Sequence, residues 1–244
     1  MTHKITRGLS WLAFLLAIGA TIVAFTGMTL ARVDRIGKLE GFGYLYQSAP
    51  FAAAALLIAI IALLLNWRAG WPARRVATIG FLFALGFVGS LAVTVLSARD
   101  APMIHDATTD LADVPQFEAI TLPDDNLRGL ENEAEWVALH KQGYPDLRSV
   151  VIDRTVEQTI LDAEQVAKDR GWTIRAVDPE AGRLEATAYA SYIRFEDEVV
   201  VRARPDGADR TLVDMRSTSR VGHGDLGVNA QRIHDFLEDL AAVR

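Results

Sequence analysis

The chain has 244 residues, no cysteine and a formal net charge of −6, which is divided unequally between residues 1–98 (net +6) and residues 99–244 (net −12). The acidic C-terminal part argues against a nucleic-acid partner, because such binding requires a basic surface that neutralises phosphates. The lack of cysteine excludes disulfides, thiol catalysis and cysteine-based metal sites.

Three uncharged apolar runs dominate the N-terminal part, at residues 9–30, 49–65 and 76–97. Each is close to the ~20 residues that a helix needs to cross ~30 Å of hydrocarbon. Three such runs in succession are unusual for a soluble core, and a cleaved signal peptide would not be followed by two more. We therefore expect residues 1–98 to form an anchor of three transmembrane helices.

The basic residues beside these runs predict an orientation. Five lie on one side of the spans and four on the other: Lys4, Arg7, Arg68, Arg74 and Arg75 against Arg32, Arg35, Lys38 and Arg99. The loop 66–75 is the more informative, because it holds three arginines and no acid. The positive-inside rule then predicts a cytoplasmic N-terminus. In a bacterial inner (plasma) membrane, three spans would place residues 99–244 in the periplasm.

Residues 99–146 are rich in proline and poor in periodicity, which predicts an extended connector with one short helix over about 130–140. The connector contains the sequence MIHDATTD, in which His105, Asp106 and Asp110 could ligate a metal. The same residues could equally form a polar turn just beyond the membrane. Because one histidine with nearby aspartates is a common combination, neither a metal nor any other cofactor is predicted.

Residues 147–244 show the periodicity of a small compact domain. Strands are predicted at 149–152, 172–177, 183–190, 198–204 and 211–216, and helices at 155–170 and 226–243. The order β-α-β-β-β-β-α predicts a mostly antiparallel sheet with both helices on one face. The predicted fold class is thus α+β, with three transmembrane helices followed by a two-layer α/β domain.

The last strand pair allows a prediction about the opposite face of that sheet. A turn centred near Gly207 pairs Val201 with Val213 and Val199 with Met215, although the register could slip by two residues. Alternation then places Arg202, Asp214 and Arg216 together on the face that the helices leave uncovered. This cluster is either an exposed face with ordinary ion pairs or a recognition surface for an anionic group or a partner protein.

The glycine-rich corner, residues 222–227 (GHGDLG), matches the dinucleotide-binding pattern G-x-G-x-x-G. A dinucleotide fold would also need a further parallel strand and an acidic residue about 20 positions later, so we expect the glycines only to turn the chain into the last helix. Asp225 is placed to cap that helix. The helix N-terminus could alternatively receive a small anion together with Arg220 and Arg232.

Polar residues near this corner have two possible roles. Asn229 lies four residues before Ile233, on the buried stripe of the helix, where its amide needs hydrogen-bond partners; we expect it to tie the helix to the preceding strand. Ser217 and Ser219 could be nucleophiles only beside a base. His223 is the nearest histidine and no G-x-S-x-G elbow is present, so no catalytic residue is predicted.

The segments GWTIRAVDPEAGRLEATA, FEDEVVVR and RSTSRVGHGDLGVNAQRIHDF, together with MIHDATTD, resemble the family called domain of unknown function 1499. The resemblance covers roughly residues 103–240 and is closest to the membrane-anchored members. Glu198 stands where the family has a second aspartate, and His223-Gly224 where a basic and a small polar residue are common. The resemblance implies no reaction, substrate or cofactor. It implies the signature positions Arg216, Ser217, Ser219, Arg220, Gly222, Asp225, Gly227, Asn229, Arg232 and Asp197.

The sequence supports two hypotheses about function, which belong to different classes. The first is a non-enzymatic interaction module, anchored in the lipid bilayer, that binds a protein or envelope component. The second is an enzyme or small-anion binder that uses the arginine-rich strand-to-helix corner. The candidate binding residues are Arg202, Arg216, Ser217, Ser219, Arg220, Asp225 and Arg232, with Asp197, Gly222, Gly227 and Asn229 in structural roles. A weaker third idea is lipid handling, in a cavity above the small side chains Ala186, Ala188 and Ala190.

Overall fold

The computed structural model describes residues 2–243, which form two compact units divided between Arg99 and Asp100. The first unit consists of three helices: α1 (Thr2–Arg32), α2 (Lys38–Arg68) and α3 (Arg74–Ser97). All three are long and apolar enough to cross a membrane. The three apolar runs of the sequence lie inside them, so the prediction of three N-terminal apolar helices is confirmed.

Small side chains let α1 and α2 pack closely. The buried residues of α1 recur every three or four positions, at Ser10, Ala13, Ala17, Ala20, Ala24, Gly27 and Ala31. A similar series of small residues is buried on α2. The approach is tightest at Gly41, where a Cβ atom would lie 2.3 Å from the Cβ of Ala31. Such small-residue contacts are typical of helix pairs in membranes, where van der Waals packing replaces the hydrophobic effect.

The second unit is an α+β domain, as predicted. Its elements are β1 (Asp106–Thr108), α4 (Glu133–Gly143), β2 (Val150–Ile152), α5 (Val156–Asp169), β3 (Thr173–Asp178), β4 (Arg183–Ala190), β5 (Phe195–Pro205), β6 (Thr211–Ser219) and α6 (Val228–Ala242). The sheet has the order β1-β6-β5-β4-β3, and β2 also pairs with β6. All of these pairings are antiparallel.

The predicted β5–β6 register is wrong by two residues. Val201 lies opposite Met215, and Arg202 lies opposite Asp214. The strands close on the Pro205–Thr211 pair, so the five-residue loop 206–210 is centred on Ala208 instead of Gly207. A slip of two keeps every side chain on its predicted face. The division between an apolar and a polar face is therefore as expected.

Helices α5 and α6 cover the apolar face and bury the core of the domain. Leu184, Ala188, Val199, Val201 and Met215 of the sheet are fully buried in this cluster. They pack with residues of both helices, including Ile160, Ala163, Ile233, Phe236 and Leu240. Trp172 closes one edge by stacking on Phe236, with ring centroids 5.0 Å apart. Ala186 and Ala188 are fully buried, which fits close helix packing.

The polar face is not uncovered, and the corresponding prediction is wrong. Residues 109–120, which follow β1 and are called the strap below, cross this face. The carboxylate of Glu185, a fully buried residue of β4, accepts hydrogen bonds from the backbone N–H groups of Glu118, Ala119 and Ile120. A buried carboxylate requires such donors. The stretch expected to be an extended connector thus contributes β1, the strap and α4 to the domain.

Candidate functional site

The centre of the polar face is an ion pair between β1 and β6. Pairing of the two strands brings Asp106 beside Arg216, whose Nη2 and Nε lie 2.7 and 3.0 Å from the two carboxylate oxygens. Both side chains are almost buried, with 5% and 12% of their surface exposed. This two-point geometry suits a planar guanidinium and fixes both groups.

Residues from the strap, from the segment before α4 and from α4 itself surround this pair. Asn126 donates a hydrogen bond of 2.8 Å to Asp106 Oδ2, and the indole of Trp136 donates one of 2.9 Å to the Asp106 carbonyl. The Arg216 guanidinium also contacts the Pro115 carbonyl at 3.3 Å and lies 5.6 Å from the centre of the Phe117 ring. The pair is therefore held from three sides.

A polar cleft of about 440 Å³ opens above the pair. Its lining residues come from β1, the strap, the segment before α4, α4 itself and β6: Asp106, Val114, Gln116, Asp124, Asn126, Leu127, Glu133, Trp136 and Arg216. The volume falls within the range of small-ligand sites. The cleft combines one aromatic wall with converging polar groups.

The cleft has an excess of negative charge. Asp106 is neutralised by Arg216, but Asp124 and Glu133 are exposed. Among residues 2–243, neither of these two carboxylates has a cationic side chain within ion-pair distance. Two unpaired acids at the rim of a polar cleft favour a cationic group over an anionic one.

Of the residues that the sequence analysis proposed for binding, only Arg216 lines this cleft. Arg202 lies further along the polar face, where it bridges Asp214 of the sheet to Asp110 and Asp113 at distances of 2.9–3.3 Å. Arg204 joins the same cluster through Asp110 and Asp214. Arg202 therefore fastens the strap to the sheet.

Ser217 and Ser219 belong to a buried network around Asn229. The Ser217 hydroxyl donates to Asn229 Oδ1 at 2.6 Å, and Asn229 Nδ2 donates to Ser219 Oγ at 2.9 Å. Arg232 contacts Asn229 and forms an ion pair with the buried Asp197. Both serine hydroxyls are thus engaged with an amide and not with a base.

The arginine-rich corner is occupied by acids of the chain itself. Arg220 pairs with Glu198, and Arg232 pairs with Asp197. Asp225 accepts hydrogen bonds from the N–H groups of Gly227 (2.9 Å) and Asn229 (2.6 Å), so it caps α6 although the helix starts at Val228. Burial raises the pKa of Asp225, although these N–H donors act in the opposite direction. These contacts weigh against a small anion at the corner.

Gly222 and Gly227 have the backbone role expected of them. Their φ angles are +94° and +82°, a region that glycine adopts without steric cost. The Gly222 carbonyl accepts a hydrogen bond from Arg128, which also binds the Ser219 carbonyl. The corner is therefore held by an arginine that the sequence analysis did not single out.

His105, Asp106 and Asp110 do not form a common metal-ligand set. Asp106 is bound by Arg216, whereas Asp110 contacts Arg202 and Arg204. His105 Nε2 faces Asn126 Oδ1 at 3.4 Å, and burial, followed by the charge of Arg128, lowers the pKa of His105. Three other side chains, His234, Asp235 and Glu238, place potential ligand atoms within 4.8 Å of one another, on the exposed surface of α6.

His140, which the sequence analysis missed, supports the site from behind β1. Its Nε2 accepts the backbone N–H of Thr108 at 3.0 Å, which links α4 to β1. Its ring packs edge-on against those of Trp136 and Tyr144. The three residues lie four positions apart, which places them on one face of a helix. This spacing could have been used to predict that the three rings pack together. Burial lowers the pKa of His140, although Asp106 acts to raise it.

The model of the family described as "Protein of unknown function (DUF1499)" matches residues 106–240, more than half of the chain, and the chain belongs to this family. The match includes every residue that lines the cleft. No curated protein shows significant similarity to the chain. The protein is thus a member of a family of unknown function and has three candidate membrane-spanning helices.

Proposed function

We propose that this protein is a non-enzymatic binding module, anchored in the bacterial inner membrane, whose periplasmic domain receives a basic group of a partner protein or envelope component in the polar cleft. The observation that carries the proposal is the cleft above the Asp106–Arg216 pair, with Asp124 and Glu133 at its rim.

The charges of the cleft support a basic partner. Arg216 is already held by Asp106 in a two-point contact, so an incoming anion would have to break a nearly buried ion pair. An incoming ammonium or guanidinium group would instead meet two unpaired carboxylates. The net charge of −12 on residues 99–244 would attract the same class of partner over a longer range.

The hydrogen bonds of the serines support binding over catalysis. A serine nucleophile needs a base within hydrogen-bond distance, but Ser217 and Ser219 share Asn229 as their partner. The polar groups that line the cleft are carboxylates, amides, one indole and one guanidinium. These groups can recognise a polar cation by hydrogen bonds and charge without any bond being made.

The proposal is tested with the full chain in lipid nanodiscs and an oligolysine peptide as the probe. The double variant Asp124→Asn with Glu133→Gln should weaken peptide binding about tenfold, because each exposed carboxylate contributes roughly 0.5–1 kcal/mol. Binding is measured by isothermal titration calorimetry at a fixed, moderate ionic strength.

The matched control removes the same charge elsewhere. Asp209 lies in the β5–β6 loop and Glu157 in the first turn of α5, and both are exposed, as are Asp124 and Glu133. The variant Asp209→Asn with Glu157→Gln should therefore bind the peptide almost as well as the parent. Equal weakening by both double variants would show that only net charge matters, and would refute the cleft as the site.

A further inference from the structure

The first residues of the domain run against the glycine-rich corner. A Cβ atom on Gly224 would lie 2.7 Å from Met103 Sδ, and one on Gly227 would lie 3.4 Å from Ala101 Cβ. The Ile104 carbonyl accepts a hydrogen bond of 3.2 Å from the Asp225 N–H. Residues 101–104 and 224–228 therefore form one surface.

This surface exposes apolar side chains. Met103 is 69% exposed, Leu226 47% and Val228 39%. Seven large hydrophobic side chains are exposed among the described residues of the domain, and these three residues are among the seven. Met103, Leu226 and Val228 are called the apolar tip below. Clustered exposure of this kind marks a contact surface more often than singly exposed residues do.

Leu226 is held in a conformation that leucine disfavours. Its φ angle is +59°, in the left-handed region that glycine and asparagine adopt most readily. The strained backbone and the exposed side chain both oppose leucine at this position in water. Such strain points to a function when the side chain contacts something outside the fold.

The covalent chain limits how far the apolar tip can lie from the membrane. Three residues lie between Ser97, the end of α3, and Ala101, and the four Cα–Cα steps that join these two residues extend over at most about 14 Å. The headgroup region on each side of a bilayer is roughly 5–8 Å thick. The surface formed by residues 101–104 and 224–228 is thus tethered next to the lipid interface by chain length alone.

We propose that the apolar tip inserts into the interfacial layer of the bilayer from which α3 emerges. Met103, Leu226 and Val228 would contact lipid there, as the apolar faces of interfacial segments do. The carboxylate of Asp225 does not oppose insertion, because it is turned inward onto the N–H groups of Gly227 and Asn229. This proposal needs only the membrane anchor and does not depend on the function of the cleft.

The absence of cysteine provides a clean background for the test. The full chain is reconstituted in phosphatidylcholine vesicles as the single-cysteine variant Leu226→Cys, labelled with an environment-sensitive fluorophore. Lipids that carry a doxyl quencher near the top of the acyl chain should quench the label several-fold more strongly than they quench a label at Leu161→Cys. Leu161 is the matched control, because it is also 47% exposed but lies on α5.

A second reporter, Met103→Cys, covers the case in which the Leu226 variant does not fold. The proposal expects strong quenching at Met103→Cys as well. Quenching at both tip positions no greater than at Leu161→Cys would refute it. A blue-shifted emission without lipid quenching, increasing with the ratio of protein to lipid, would assign the apolar tip to a second copy of the chain and would also overturn the proposal.

Discussion

At the scale of single residues, Asn229 connects three parts of the domain. Its side chain accepts from Ser217 of β6 and from Arg232 of α6, and it donates to Ser219 and to the carbonyl of His105. All of these groups lie in the interior around a fully buried amide. Removing the amide would leave several buried polar groups without partners.

The variant Asn229→Ala is therefore expected to lower the free energy of unfolding of the domain by about 3 kcal/mol, since each buried group left unsatisfied costs roughly 1–3 kcal/mol. Hydrogen exchange of the β5 and β6 amides, measured in the full chain, reports the loss as faster exchange. The control Gln231→Ala removes an exposed hydrogen bond on the same helix and should change exchange little. Similar rates in both variants would contradict the structural role of Asn229.

The sequence predicted the contacts of Asn229 with the end of β6, but not its contact with the segment before β1. Its spacing from Ile233 predicted a buried amide, and Ser217 and Ser219 lay at the end of the adjacent strand. The His105 carbonyl could not be predicted, because it lies 124 residues earlier in the chain. Only the β1–β6 pairing brings it into contact.

At the scale of elements, β1, the strap and α4 are held to the domain by polar groups that are sensitive to charge. Two hydrogen bonds link α4 to β1: one from the Trp136 indole to the Asp106 carbonyl, and one from the Thr108 N–H to His140 Nε2. A ring nitrogen that accepts a hydrogen bond cannot carry a proton, so this contact requires neutral His140.

The domain should therefore lose stability on acidification. Because burial lowers the pKa of His140 in the fold below its ordinary value of 6.5, the unfolded chain binds more protons as the pH falls below 6.5, and the free energy of unfolding decreases. Thermal unfolding between pH 7.5 and 5 should show this decline, and His140→Gln should make it shallower. The exposed His234→Gln serves as the control; an identical slope for His140→Gln and the parent would disprove the link.

The elements also show where local sequence patterns stop being informative. Strands β3 to β6 could be predicted because each contains several residues that alternate between apolar and polar. Strand β1 has three residues, Asp106–Thr108, with no alternation, and its partner lies about 110 residues later. The strap shows no hydrophobic periodicity. Its position depends on Glu185 and Arg202, whose burial the sequence could not distinguish from ordinary exposure on a sheet face.

At the scale of the whole molecule, the basic residues beside the candidate spans predict the side of the membrane on which the domain lies. The loop between α2 and α3 holds Arg68, Arg74 and Arg75 and no acidic residue, which favours a cytoplasmic location for this loop. If all three helices span the membrane, the proposed location of the domain is the periplasm.

We expect a reporter that works only in the periplasm to be active when fused after Arg244 and inactive when fused in the loop between α2 and α3. Reporter activity in intact cells is the measurement, and a reporter that works only in the cytoplasm should give the reverse pattern. Cytoplasmic activity at the C-terminal fusion would overturn the orientation.

The pairing of β1 with β6 has a consequence for the order in which the chain can fold during synthesis. Strand β1 emerges from the ribosome about 110 residues before its pairing partners in β6, and β2 also pairs with β6. Neither short strand can be paired in the sheet until β6 exists, so the first segment of the domain remains without its final contacts while most of the domain is made. Contacts this distant in sequence slow folding. The last sheet strand to be synthesised is thus the one that completes the first part of the domain.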